Sequence, residues 1–182
     1  PIAAHLGGQG GKNYNPIGCG PTTFFWETHA LLAETGMAHI ASLIAHGVFE
    51  KWPSLKFLLI ECGVAWLPSI LWRMDANYKA LRKETPWLKR LPSEYARDHI
   101  RMSTQPLEQP KNIEHLWSAL EAIDGKNTLM FASDYPHWDF DDPFKLKLPA
   151  DWKKNVFDLN ARNVYRKLPQ KSVADDVVVV SA

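Results

Sequence analysis

In Leu55-Lys-Phe-Leu-Leu-Ile-Glu61 an almost unbroken apolar run stops on a carboxylate, with Gly63 two residues further on. A short run without polar alternation suits a strand buried on both faces, as a parallel sheet covered by helices requires. Working outward, three more runs end in polar residues: Ile2 to His5, His99 to Ser103, and Thr128 to Ser133, the last followed at once by Asp134. Loops and helical patterns separate them. Leu67, Ile70, Leu71, Met74, Tyr78 and Leu81 keep one helix face apolar, as do Ile113, Leu116, Trp117, Leu120 and Ile123. Met37, Ile40, Ile44 and Val48 repeat the spacing before Pro53, and Gly125 reads as a helix stop. Gly7 to Pro21 and Thr85 to Pro92 read as loops within this rhythm rather than as linkers between domains. The expected fold is α/β, with strand and helix alternating.

The chain has 182 residues, 46% of them hydrophobic, enough for one ordinary core. Twenty-one basic and 20 acidic side chains leave a net charge of +1. With no block of like charge, nucleic acid and membrane surfaces are excluded as expected partners, which leaves a small molecule. Cys19 and Cys62 are too few for a disulfide framework and lack zinc-finger spacing. They point to a reducing, cytoplasmic setting. No apolar run approaches the roughly 20 residues of a membrane span. Pro1-Ile-Ala-Ala-His5 opens like a strand already under way, so further sequence upstream is expected. Residues 169–182, with Val177 to Val180 after two aspartates, read as a frayed or disordered tail.

Polar, metal-competent side chains stand where three of the four strands end: His5, Glu61 and Asp134. Alternation along a strand puts Phe57, Leu59 and Glu61 on one face, and Met130, Ala132 and Asp134 on one face of theirs. Each residue has a second reading. His5 suits a hydrogen-bonded structural role as well as a metal ligand; Asp134 can start a turn at Tyr-Pro-His137; Glu61 can complement a helix dipole. His39 and His46 share a helix face but read as a solvated stripe, and His29, His99 and His115 as structural. Gly7-Gly-Gln-Gly-Gly11-Lys12 fails as a phosphate loop, because Leu6 and Asn13 stand where glycine and Ser or Thr are needed. Trp66 and Trp138 follow strand ends and are candidate walls for a flat substrate. Four βα units could make an open doubly wound sheet or half of a (β/α)8 barrel. A whole barrel takes about 250 residues, so length favours the sheet, whereas polar residues at several strand ends favour the barrel.

Several stretches carry a family likeness: His5-Leu-Gly-Gly, Gly47-Val-Phe-Glu-Lys-Trp-Pro-Ser-Leu-Lys-Phe57, Glu61-Cys-Gly-Val-Ala-Trp-Leu-Pro68 with Arg73 and Asp75, Phe131-Ala-Ser-Asp-Tyr-Pro-His137, and Asn160-Ala-Arg-Asn-Val-Tyr165. Together, and in this order, they resemble the amidohydrolase-related family of metal-dependent decarboxylases and lactonases. The resemblance implies that residues 1–168 form the C-terminal half, strands five to eight, of a distorted TIM-like barrel. It also implies a divalent metal, zinc or alternatively manganese, held by His5 and Asp134, with further ligands on an absent strand one. Asp134 and Glu61 would be catalytic, Trp66, Trp138 and His137 would bind substrate, and a homodimer is a common family state. Decarboxylation of a carboxylated aromatic or unsaturated molecule ranks first. Hydrolysis of a lactone, amide or ester ranks second, with Asp134 taking the proton of the attacking water. A non-catalytic fragment is the third reading. Glu61 departs from the family, whose decarboxylases carry histidine there; a carboxyl at that position is a candidate proton donor or acceptor.

Overall fold

All four apolar runs form strands, and every neighbouring pair is parallel. The computed structural model describes residues 1–5 and 22–168. Strands β1 (Ile2–His5), β2 (Phe57–Ile60), β3 (Ile100–Ser103) and β4 (Leu129–Met130) lie side by side in chain order. His5 pairs with Ile60, Leu59 with Met102 and Ser103 with Met130, so the C-terminal strand ends share one edge of the sheet. The central strand β2 buries Phe57, Leu58 and Leu59 in succession, as its unbroken apolar run requires.

Helices α1 (Phe25–Ala30), α2 (Leu32–Ala45) and α3 (Val48–Lys51) connect β1 to β2. Helices α4 (Trp66–Leu81) and α5 (Pro92–His99), with a 3-10 turn at Arg82–Glu84 between them, lead to β3. Next come α6 (Glu114–Glu121), α7 (Gly125–Thr128) and β4; a π-helical turn, Asn155–Leu159, then runs into α8 (Asn160–Val164). The sheet has two different faces. Phe57, Leu59, Ile100 and Met102 pack with Ile40, Leu71, Tyr95 and Trp117 in the main core. Leu58, Met130 and Val164 form a smaller cluster, with Ile60 and Ala161 against it. Asn160, buried at 3% exposure, ties α8 to the end of α7 and to β4 by donating to Lys126 O and Leu129 O at 2.8 and 2.7 Å.

One reading changes. Gly125 does not stop a helix; it begins α7, and Asp124 before it takes the left-handed conformation with φ 59°. Asp tolerates that region, and its carboxylate accepts from Asn127 Nδ2 at 2.9 Å. Gly125 is small for another reason, since a Cβ there would lie 2.7 Å from the Trp152 ring. Helices α1 and α5 carry no long apolar period and go unread in the sequence. Pro92 and Glu94 start α5 locally, Glu94 accepting the Leu91 N–H at 2.8 Å. The loop read at Gly7 to Pro21, with Cys19, and the tail 169–182 lie outside the described residues. Among the described residues no helix is long and apolar enough to cross a membrane.

Candidate metal centre

Both carboxylates at the strand ends sit in a strained backbone. Glu61 has φ 61° and Asp134 φ 57°, and with Asp124 they are the non-glycine residues at positive φ among those described. Such conformations cost on the order of 1–3 kcal/mol each and persist where surrounding contacts hold them. At Glu61 the turn corrects the expected face. Phe57 and Leu59 point into the helical layer, yet Glu61 does not continue their alternation: the left-handed residue swings its carboxylate towards β1, where Oε2 meets His5 Nε2 at 2.7 Å. Ser103 Oγ accepts the Glu61 N–H at 2.9 Å, fixing the turn from β3.

Asp134 is both a turn former and a site residue. The His137 N–H donates to Asp134 O at 2.9 Å, closing Asp134-Tyr-Pro-His137 into a turn, and the turn brings His137 Nδ1 within 2.5 Å of Asp134 Oδ2. Thr104 supports this end of β4. Its backbone N–H donates to Met130 O at 3.0 Å, and its Oγ1 accepts the Ala132 N–H at 3.2 Å.

The result is a cluster of Glu61, Asp134 and His137, each offering a ligand atom within 4.8 Å of the others. Two carboxylates and an imidazole suit a divalent cation of the zinc or manganese kind, so the donor set fits the group implied by the sequence. His5 stands outside this trio but is hydrogen-bonded to one of its members, with its side chain 57% exposed. Trp138 is 75% exposed beside the cluster. Trp66 is different: it packs in the core, with Nε1 donating to Cys62 O and Gly63 O at 2.7 and 3.2 Å, so its indole holds a turn rather than lining the mouth. Cys62 is buried, and burial followed by the Glu61 charge pushes its thiol up to about 12, so it is protonated at neutral pH.

The remaining histidines are each accounted for by a bond within the protein. His39 Nδ1 and His46 Nδ1 each donate to the carbonyl four residues back, Thr35 O and Ser42 O, at 2.8 and 2.9 Å. Buried His99 bonds Leu55 O and stacks on Phe49 at 4.5 Å, and burial lowers its pKa. His115 lies 3.5 Å from Asn112 Nδ2. His29 is drawn to the site loop, where Nε2 meets Asp139 Oδ2 at 3.1 Å.

Sequence reasoning missed the supporting residues. Glu108, from the β3–α6 loop, caps α4 from outside: its carboxylate accepts the Val64 N–H at 3.0 Å and the Ala65 N–H at 3.1 Å. Asp139 and Asp141 were also passed over, although the run Asp139-Phe-Asp-Asp142 follows the motif directly. Asp139 Oδ1 and Asp141 Oδ2 are buried without a protein partner. Burial, then the Asp139 charge, pushes the Asp141 carboxyl up to about 6. An unfolded aspartate titrates near 3.9, so the folded state holds the extra proton between about pH 4 and pH 6. The stabilisation is complete below the lower value, is lost as pH rises through the higher one, and is gone at pH 7. Asp141→Asn is therefore expected to raise Tm at pH 7 by roughly 2–4 °C, allowing about 1 kcal/mol after screening, and to leave Tm at pH 4 nearly unchanged. Thermal melts at both values check this; equal shifts at both would assign the effect to packing.

A parallel α/β sheet with a carboxylate and imidazole cluster at its C-terminal edge belongs to the class of metal-competent α/β folds. Residues 1–167 match the family model described as amidohydrolase, and the chain belongs to that family. It is 29% identical over 139 residues to the gamma-resorcylate decarboxylase of Polaromonas sp. JS666, a match covering 75% of this chain and 37% of that protein. The structure is similar to 5-carboxyvanillate decarboxylase from Sphingomonas paucimobilis at 27% identity and TM-score 0.54, covering 74% of this chain and 40% of the other. It shares its fold with a dihydroxybenzoic acid decarboxylase from Polaromonas sp. JS666 that holds manganese and 2-nitroresorcinol, at 21% identity and TM-score 0.55, covering 78% of this chain and 45% of the other. The chain thus spans about two fifths of the length of the relatives it matches.

Proposed function

We propose that residues 1–168 are the C-terminal half, strands five to eight, of a distorted (β/α)8 barrel whose metal site releases CO₂ from a carboxylated aromatic or unsaturated small molecule. The observation that carries this reading is the meeting of Glu61, Asp134 and His137, with His5 one hydrogen bond away, at the C-terminal strand edge. The likeness to gamma-resorcylate and 5-carboxyvanillate decarboxylases supports the reaction class. In this reading His5 and Asp134 are ligands, His137 is within reach of the same ion, and the remaining ligands come from strand one of the barrel, which is not among the four strands of the described residues. A divalent ion held there would supply Lewis-acid polarisation of substrate oxygens. The donor set suits zinc, and the manganese held by the dihydroxybenzoic acid decarboxylase favours manganese as the first metal to try.

The protein's own groups do the rest. Exposed Trp138 offers a face on which a flat ring can stack. Glu61, hydrogen-bonded to His5, is placed to deliver a proton to the carbon that loses CO₂. Glu61, standing where the family's decarboxylases carry histidine, keeps a second reading open: hydrolysis of a lactone, amide or ester, with Asp134 taking the proton of the attacking water.

The assay is CO₂ release set against product-acid formation, on hydroxybenzoates and lactones, with added Mn²⁺ or Zn²⁺. CO₂ release from a hydroxybenzoate is the expected result; acid formation from a lactone alone would establish the hydrolase instead, and neither would leave a non-catalytic chain. Glu61→Gln is expected to lower the rate by about 100-fold or more, within the usual range for a positioned acid or base. An unchanged rate would remove Glu61 from the chemistry.

A further inference from the structure

Between β4 and the π-helical turn at Asn155, the segment that supplies Asp134 and His137 contains no strand or long helix. Its position is set by side chains. The Asp141 N–H donates to Ser133 O at 2.9 Å, closing the segment on itself. Asp139 Oδ2 then accepts from Gln105 Nε2 at 3.1 Å and meets His29 Nε2 at the same distance. Gln105 Nε2 also reaches Asp139 O at 3.3 Å. Gln105 is 1% exposed, and the side chains of Asp139 and His29 are 13% and 18% exposed. One carboxylate thus joins α1, the β3–α6 loop and the site segment.

The same node reaches the other half of the cluster. Gln105 O accepts from Ser103 Oγ at 3.0 Å, and Ser103 Oγ accepts the Glu61 N–H. A continuous chain of hydrogen bonds runs from Glu61 through Ser103 and Gln105 to Asp139, two residues from His137. Trp138 lies between His137 and Asp139, its ring centroid 5.6 Å from that of His29.

We propose that Asp139, with Gln105 and His29 as its partners, is the positioning residue that sets the spacing between Glu61 and the Asp134–His137 pair and turns the Trp138 face towards the substrate. It touches neither substrate nor metal. A buried carboxylate with one unpartnered oxygen is a poor device for stability alone, and its two strong bonds define direction instead. The metal side of the proposal rests on the reading of the cluster as a metal site; the ordering of the segment does not.

The test uses the full 182-residue chain and its Asp139→Ala and Asp139→Asn variants. Hydrogen exchange is followed by peptide, and Mn²⁺ affinity by titration of the free ion. Asp139→Ala is expected to speed exchange across residues 134–142 by about tenfold, leave β2 and α4 unchanged, and weaken Mn²⁺ binding by about 10–100-fold. Asn keeps an oxygen for Gln105 and His29, so Asp139→Asn is expected to restore both readouts to within about threefold. Uniform acceleration over the whole chain without rescue by Asn, or no change in residues 134–142, overturns the proposal. If the unaltered chain binds no Mn²⁺, Glu61, Asp134 and His137 do not hold the ion without the strand-one ligands, and the exchange result alone decides the positioning role.

Discussion

Asp134→Gly is expected to weaken Mn²⁺ binding by at least about 100-fold, the upper range already seen for loss of a mere outer-shell partner, while leaving resistance to urea within about 1 kcal/mol of the unaltered chain. The two effects separate because the residue has two opposed roles. Its carboxylate is one of three groups with ligand atoms mutually within 4.8 Å, and glycine deletes it. Its backbone, at φ 57°, is tolerated by aspartate but costs glycine less. Relief of that strain offsets the lost hydrogen bond to His137 and the greater freedom glycine gives the unfolded chain. Calorimetric titration and urea unfolding read the two quantities independently. Undiminished affinity would show that the ion, if bound, is held elsewhere.

The second large effect concerns stability. Gly63 has φ 66°, and a Cβ there would stand 2.5 Å from Glu108 Oε1. The carboxylate cannot step aside freely, because the Val64 and Ala65 N–H groups hold it at the start of α4. Gly63→Ala therefore combines a left-handed alanine, at about 1–2 kcal/mol, with a weakened helix cap, at about 0.5–2 kcal/mol. A total near 2–3 kcal/mol is expected from urea unfolding, large beside the stability of a single domain. In an Glu108→Ala background the same substitution should fall towards the backbone component alone, because the clash and the cap are already gone. Additive losses would show that Glu108 and Gly63 act separately.

Much of the sheet was legible because a strand buried on two faces leaves a plain mark. Leu58 and Leu59 are apolar for opposite reasons, one facing the small cluster and one the helical layer, and their run reads as one strand. Helices α2, α4 and α6 were legible from their single apolar faces. Helix α5 was not, since its stability comes from Pro92, Glu94 and its packing rather than from a long period. His5, Glu61 and Asp134 could be named as strand-end residues because parallel strands deliver their ends to one edge. Alternation failed at Glu61, where one left-handed residue reverses the side on which the carboxylate emerges.

Local order along the chain thus determined the parallel α/β plan, the family and the strand-end candidates, because these depend on patterns a few residues long. Tertiary structure decided that His137 joins Asp134 and Glu61, that Trp66 is core and Trp138 exposed, and that Glu108, Gln105, Asp139 and His29 hold the site in place. The physical reason is distance along the chain. Glu108 caps a helix more than 40 residues before it, and Gln105 reaches Asp139 across 34 residues. Hydrogen bonds of that kind leave no periodicity in the sequence, and only the folded sheet brings their partners together.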